Sequence, residues 1–382
     1  MQGHVDRDRV GGVAWLAARG DSVERGTAGV LTRGSPEPIR RDSIFRIASM
    51  TKPIVAVAAL VLVEECKLRL EDPVDELLPE LAERRVLVDG RGALDGDTVP
   101  ARRPITVHDV LTFQLGLGWD FEAPWPQPLF EAFATLGLGA GPPQPQVPPG
   151  PDEWMRRLET LPLLYQPGDH WLYDIGSDVL GVLVARAAGQ PLEDFLRARV
   201  FEPLRMIDTG FSTTHVDRLG SCYTADETGG CQVFDPPSGQ WTTPPAFPSG
   251  RGGLLSTLDD MHTFGRMLLS GGRLPDGSCL LSRASVDAMT IDQLDIERRG
   301  GGPSPDGSLG WGFGVAVQVR RTGLGPTVGS YGWTGGLGTS WGNDPSKDLV
   351  GVVLTTDAFV SAFPLPVAIQ DFWTSVYAAL ED

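Results

Sequence analysis

Lysine is scarce in this chain: of 32 lysine and arginine residues only three are lysine, at positions 52, 67 and 347. Acidic residues outnumber basic ones, 49 to 32, for a net charge of -17. That balance argues against nucleic acid or an anionic membrane as partner, since either calls for a basic surface. No run of 18 apolar residues occurs, so no spanning helix is expected. Residues 1–9 are polar and mixed in charge, unlike a signal peptide, which makes the cytoplasm the expected location. The four cysteines, Cys66, Cys222, Cys231 and Cys279, show no C-x-x-C spacing. Cys66 reads as a core thiol, while Cys222 and Cys231 flank a Gly-rich turn and could pair only in an oxidising compartment. The five histidines are scattered, so neither a metal nor another cofactor is expected.

Against this background one lysine stands out, in Ser49-Met50-Thr51-Lys52 ahead of Pro53 and the apolar run 54–63. The run reads as a helix buried nearly all round, with Ser49 where it begins. A spacing of three puts Ser49 and Lys52 on one face of the first turn. A serine hydroxyl is inert until a base takes its proton, and a desolvated lysine can serve as that base. The helix amino end favours an anion at Ser49 and disfavours a charged Lys52. A plain N-cap would explain the serine equally well. The choice depends on the rest of the chain.

At 382 residues the chain can hold two lobes. Residues 12–18 and 23–30 read as a hairpin, and strands recur at 312–317, 339–341 and 349–354 before a terminal helix over 367–380. Between them lie expected helices at 74–81, from Thr106 to Gly116, and at 153–161, 177–188, 193–200, 261–269 and 281–291. Residues 86–104 read as an exposed hairpin or loop. Residues 122–151, rich in Pro and Gly, read as a long loop, and 211–247 as irregular. The predicted fold is α+β. One antiparallel sheet flanked by helices is built from 1–72 and 291–382, and 73–290 forms a mainly helical lobe.

Four motifs then occur in order: Ser49-Met50-Thr51-Lys52-Pro53, Tyr173-Asp174-Ile175-Gly176, Gly253-Leu254-Leu255-Ser256-Thr257 and Gly332-Trp333-Thr334-Gly335-Gly336. Together they resemble the serine β-lactamase and penicillin-binding protein superfamily, most of all its esterase branch near the class C β-lactamases, the family VIII carboxylesterases. The resemblance implies a β-lactamase-like fold and a Ser-Lys-Tyr hydrolase in which Ser49 is acylated, Lys52 and Tyr173 handle its proton, and the backbone N–H groups of Ser49 and Gly336 form the oxyanion hole. It implies a small-molecule ester or acyl donor as partner. The substrate would be lined by Trp333, Gly335, Ile175 and the stretch Trp119, Asp120 and Phe121.

Two departures bear on substrate. The β-lactam hydrolases of the family place Asn two residues after the Tyr, where this chain has Ile175. They place Lys or His where it has Trp333. Neutral or aromatic esters are therefore expected to be preferred over β-lactams. Acyl transfer or β-lactamase or D-peptidase activity is the alternative within the family, and a catalytically silent binding module the alternative outside it. Gly338-Thr339-Ser340-Trp341-Gly342 matches the G-x-S-x-G elbow of another hydrolase class. That class needs a histidine after the serine, and the last histidine is His262, so Ser340 reads as structural.

Overall fold

Strand-forming stretches from the two ends of the chain pair into one seven-stranded sheet in the computed structural model, which describes residues 1–226, 230–294, 301–359 and 364–380. Its strands are β1 (Gly12–Arg19), β2 (Ser22–Gly29), β3 (Leu309–Trp311), β4 (Ala316–Gln318), β5 (Tyr331–Gly335), β6 (Thr339–Asp344) and β7 (Leu349–Thr355), in the order β2-β1-β7-β6-β5-β4-β3. Every pairing is antiparallel. The join between the chain ends is the β1–β7 ladder, from Val13 opposite Thr355 to Arg19 opposite Leu349. Strand β7 is buried at every position because helices cover both faces there.

Four helices matter for the site: α1 (Thr51–Glu64), α2 (Ile175–Ala188), α3 (Leu258–Leu269) and α4 (Val367–Ala379). Helix α1 is buried from Thr51 to Leu62, as the apolar run that begins at Pro53 requires, and it packs along α2. Helix α3 lies on one face of the sheet, where Phe264 meets Trp341 edge-on. Helix α4 lies on the other, where the Trp373 indole N–H donates to Ser340 Oγ at 3.0 Å. Neighbouring residues of a strand point to opposite faces, so Ser340 and Trp341 are separated by the sheet itself. Among the described residues, no helix is long and apolar enough to cross a membrane.

Several elements differ from the sequence reading. Residues 74–81 are turns closed by a 3-10 turn at Pro79–Leu81, because Pro79 has no N–H to continue a helix. The long loop contains a helix, Pro128–Thr135, anchored by buried Leu129 and Phe133. The stretch read as irregular holds a hairpin, Cys222–Ala225 with Cys231–Asp235. Cys222 pairs with Asp235 in that ladder rather than with Cys231, and all four cysteines are free. Cys66 is exposed, since α1 ends at Glu64 and Cys66 turns out of it with φ 57°. The strand expected over 312–317 divides into β3 and β4 around Gly314, which lies against Ala56 and the Lys52 carbonyl of α1.

Candidate active site

The chain enters the site through Phe45–Arg46, which pairs with Leu255–Ser256, and then tightens into a 3-10 turn at Ala48–Met50 that runs directly into α1. Ala48 takes φ 44°, a left-handed conformation that costs a non-glycine residue about 1 kcal/mol or more. This strained turn leaves Ser49 half-exposed between two buried neighbours. One turn later Lys52 has no solvent exposure at all. Its Nζ lies 2.9 Å from Ser49 Oγ, 2.6 Å from Asp174 Oδ1 and 2.7 Å from the Arg251 carbonyl oxygen. Three acceptors match the three hydrogens of an ammonium group.

Tyr173 completes the group. Its ring centre is 4.6 Å from Lys52 Nζ, and its backbone pairs with Trp119 in both directions at 2.9 Å. The ring is held among Phe113, Phe121, Trp171, Trp311 and Trp333, with centroids 5.0–6.4 Å away. The Trp333 indole N–H donates to Tyr173 Oη at 2.6 Å. Ser49 and Lys52 thus meet Tyr173, more than 120 residues further along the chain, in one cluster.

Behind them lies an ion network that the sequence reading did not assign. Asp174 accepts from Lys52, from Arg251 Nη1 at 2.8 Å and from the Trp119 indole N–H at 3.1 Å. Arg251 in turn meets Asp178 at 3.0 Å, and Asp178 accepts from Ser249 Oγ at 2.7 Å. Burial opposes the charge on Asp174, but Lys52 and Arg251 outweigh it and hold the carboxyl below its ordinary range. Burial outweighs Arg251 at Asp178 and pushes that carboxyl up. The one signal available from sequence was that a buried lysine needs a counter-charge. Nothing marked Arg251.

The expected substrate-lining residues divide. Gly335 sits where a Cβ would meet the Ile47 carbonyl oxygen at 2.2 Å, so strand β5 runs hard against the Ser49 turn. Gly336, next along, faces open space. Trp119 and Phe121 are at the site through Asp174 and Tyr173, whereas Trp333 is 8% exposed and commits its N–H to Tyr173. Two assignments are corrected. Ile175 is fully buried in the main core, because it is the first residue of α2 and turns inward with it. Asp120 is buried and accepts from Arg91 at 2.9 Å. Burial opposes its charge, but His170, the Glu122 backbone N–H and Arg91 bring it down to about 2, so it is a structural ion pair. Ser340 borders a cavity of about 690 Å³ that Trp333, Thr334, Trp373 and Tyr377 also line.

An antiparallel sheet with helices on both faces, and a Ser-x-x-Lys turn beside a tyrosine, are the arrangement of the β-lactamase-like class of serine hydrolases. The chain belongs to the Beta-lactamase family, whose model matches residues 1–370. It is similar to Protein Rv1367c of Mycobacterium tuberculosis, 41% identical over 325 residues, which are 82% of this chain and 77% of that protein. Esterase EstB of Burkholderia gladioli is 33% identical over 396 residues, 98% of this chain and 92% of the relative. Among solved structures, EstCE1, described as a hydrolase with promiscuous acyltransferase activity, superposes with a TM-score of 0.78 at 26% identity, covering 98% of this chain and 96% of its own. The fold and the superfamily expected from the four motifs are both borne out.

Proposed function

We propose that the protein is a carboxylesterase that works through an acyl-enzyme on Ser49. The observation that carries this reading is the 2.9 Å contact between Lys52 Nζ and Ser49 Oγ, with the Tyr173 ring beside the same amine. Ser49 Oγ attacks the ester carbonyl carbon while Lys52 and Tyr173 between them take its proton and return it to the departing alkoxide. Water then repeats the sequence on the acyl-enzyme, and the acid leaves. In this reading the carbonyl oxygen, negative in the tetrahedral intermediate, is held by the N–H groups of Ser49 and Gly336, and the close packing of Gly335 on Ile47, next to both, supports it.

The surroundings favour aromatic or apolar acyl groups. Trp119 touches Trp125 and Phe130 at centroid distances of 6.0 and 5.7 Å, and Trp125 is half-exposed, so a ladder of rings leads from Asp174 outward. The named activity of EstB supports hydrolysis, and that of EstCE1 makes acyl transfer to an alcohol the second reading. A reducing compartment such as the cytoplasm suits the four free thiols.

Assay against p-nitrophenyl esters and nitrocefin is the test. Ester turnover and fluorophosphonate labelling are expected in the native protein and in Ser340→Ala, and neither in Ser49→Ala, with nitrocefin turned over slowly or not at all. Labelling that survives Ser49→Ala, or nitrocefin cleaved as efficiently as p-nitrophenyl butyrate, would overturn the reading.

A further inference from the structure

Helix α4 fills only part of the sheet face it lies on. Over β1 and β7 it lays Ile369, Phe372 and Val376 against Val13 and Val353 in an apolar cluster. Its next stripe, Gln370, Trp373, Thr374 and Tyr377, recurs at helical spacing and lines the cavity of about 690 Å³ beside β4, β5 and β6. The hollow exists because the β5–β6 ladder is short of side chains there. Gly332 is paired with Gly342, and two positions along the ladder Thr334 is paired with Ser340. Between Gly332 and Thr334, Trp333 turns to the opposite face and gives its indole N–H to Tyr173, so the sheet stands between this floor and the Ser49 group. Ser340, set aside as a nucleophile, is thus part of a cavity floor.

The walls state what fits. Among the described residues that line the cavity, Asp306 alone is charged, and its carboxylate already accepts from the Ser308 N–H at 3.0 Å and from Ser308 Oγ at 2.6 Å. The same lining residues include no lysine, arginine or histidine, so a carboxylate or phosphate entering it would be buried without a counter-charge. Helix α4 presents two rings, Trp373 and Tyr377, with centroids 6.4 Å apart, and Leu324 adds an apolar side chain that is 69% exposed. The floor adds one directed polar group. Ser340 is 2% exposed, its Oγ accepts from the Trp373 indole N–H at 3.0 Å, and its own O–H has no acceptor among the described residues. The volume falls within the roughly 300–1,000 Å³ of small-molecule sites, and a few placed polar groups on apolar, aromatic walls are what such sites use to orient a ligand.

We infer that this cavity is a second binding site, apart from the Ser49 group, for a neutral, ring-bearing molecule with a carbonyl oxygen. The ligand's rings lie against Trp373 and Tyr377, and its carbonyl oxygen accepts the Ser340 O–H. No bond is made or broken there, because the polar partner of Ser340 is an indole N–H, which donates and cannot take the hydroxyl proton. The site goes beyond the esterase reading and does not depend on it.

Prodan, a neutral naphthyl ketone whose emission shifts to the blue in apolar surroundings, is the probe. Titrated into the native protein and into Ser49→Ala, it should bind saturably and with equal affinity, and the anionic 1-anilinonaphthalene-8-sulfonate should not displace it. Thr374→Trp fills the cavity from an exposed helix position and should abolish that binding. Ser340→Ala removes the donor and should weaken prodan by ~3- to 10-fold, the worth of one hydrogen bond, while 2-(dimethylamino)naphthalene, which lacks the carbonyl, should bind native and Ser340→Ala protein alike. Trp125→Ala, in the ladder of rings beside the Ser49 group, should leave prodan binding unchanged. Melting curves show which variants fold, and Ser340→Ala, the smaller change, decides the matter should Thr374→Trp fail to fold. Absence of saturable binding to the native protein would overturn the inference. So would a Ser340→Ala variant that holds prodan as tightly as the native protein, or binding that survives Thr374→Trp and is lost in Trp125→Ala. Prodan binding in the expected pattern by a native protein that neither labels nor turns over esters would instead overturn the esterase reading and leave this site standing.

Discussion

Tyr173 shows how much one atom can carry. Its ring is fixed by five aromatic neighbours, so removing Oη should alter chemistry without moving the side chain. Tyr173→Phe is expected to lower kcat by at least ~10²-fold, the scale of a lost proton-transfer group, with KM within ~3-fold. It also strands the Trp333 indole N–H, a cost of about 1–3 kcal/mol, so a modest drop in melting temperature should accompany the kinetic loss. Steady-state kinetics and thermal denaturation on the same preparation check both. Ring stacking alone would give a variant with near-native kcat, and that result would remove Tyr173 from the chemistry. The residues that hold the tyrosine, Phe113, Trp171 and Trp311 among them, were ordinary aromatics in the sequence and became recognisable only by their common neighbour.

Among the elements, β5 and the 3-10 turn that leads into α1 decide the site by touching. Strand β5 can approach the Ser49 turn only because Gly335 presents no Cβ, which would otherwise stand 2.2 Å from the Ile47 oxygen and 2.3 Å from Thr339 Oγ1. Gly335→Ala should therefore push the strand outward and with it the Gly336 N–H. The expected result is a loss of kcat of ~10²-fold or more, the scale of a lost oxyanion donor, and a stability cost of about 1–3 kcal/mol. Rates with a p-nitrophenyl ester and a chemical denaturation midpoint would test it, and an active, equally stable variant would contradict the close-approach argument. The helix and the strands at both ends were legible because apolar periodicity is a local property. The helix at Pro128–Thr135 and the 222–235 hairpin were not, because their sequences look like loop and are held in place by what packs on them.

For the whole molecule, the buried charges set the response to pH. Asp260, in the first turn of α3, accepts from the Asp208 N–H at 2.9 Å and Thr209 Oγ1 at 2.8 Å, yet burial outweighs these bonds and raises it from 3.8 to about 6. Below pH 3.8 it is protonated folded and unfolded alike and costs nothing. As pH rises toward 6 the unfolded chain ionises it first, so the native state loses stability, on the order of 3 kcal/mol at most, and the loss is complete above pH 6. Asp260→Asn keeps an acceptor for both bonds without the charge. It should raise the melting temperature by about 2–5 °C at pH 7.5 and leave it unchanged near pH 4. A variant less stable at pH 7.5 would show that the carboxylate contributes net attraction.

What the sequence determined by itself is whatever lies within one turn or one strand. Ser49 and Lys52 share a face because three residues of helix place them there, and Ser340 was set aside because no histidine follows it. What the tertiary structure decided is whatever joins distant positions. Lys52, Asp174 and Arg251 come from segments up to 199 residues apart, and the two basic groups together hold the Asp174 carboxyl below its ordinary range. Sequence spacing implied that the amine would be desolvated and free to act as base. The fold surrounds it with the Asp174 carboxylate and the Arg251 carbonyl oxygen, both of which accept from it. It does so through a γ-turn at Asp174, with φ 85° and ψ -62°, a backbone conformation that aspartate tolerates but does not dictate, and which only the packing around Lys52 selects.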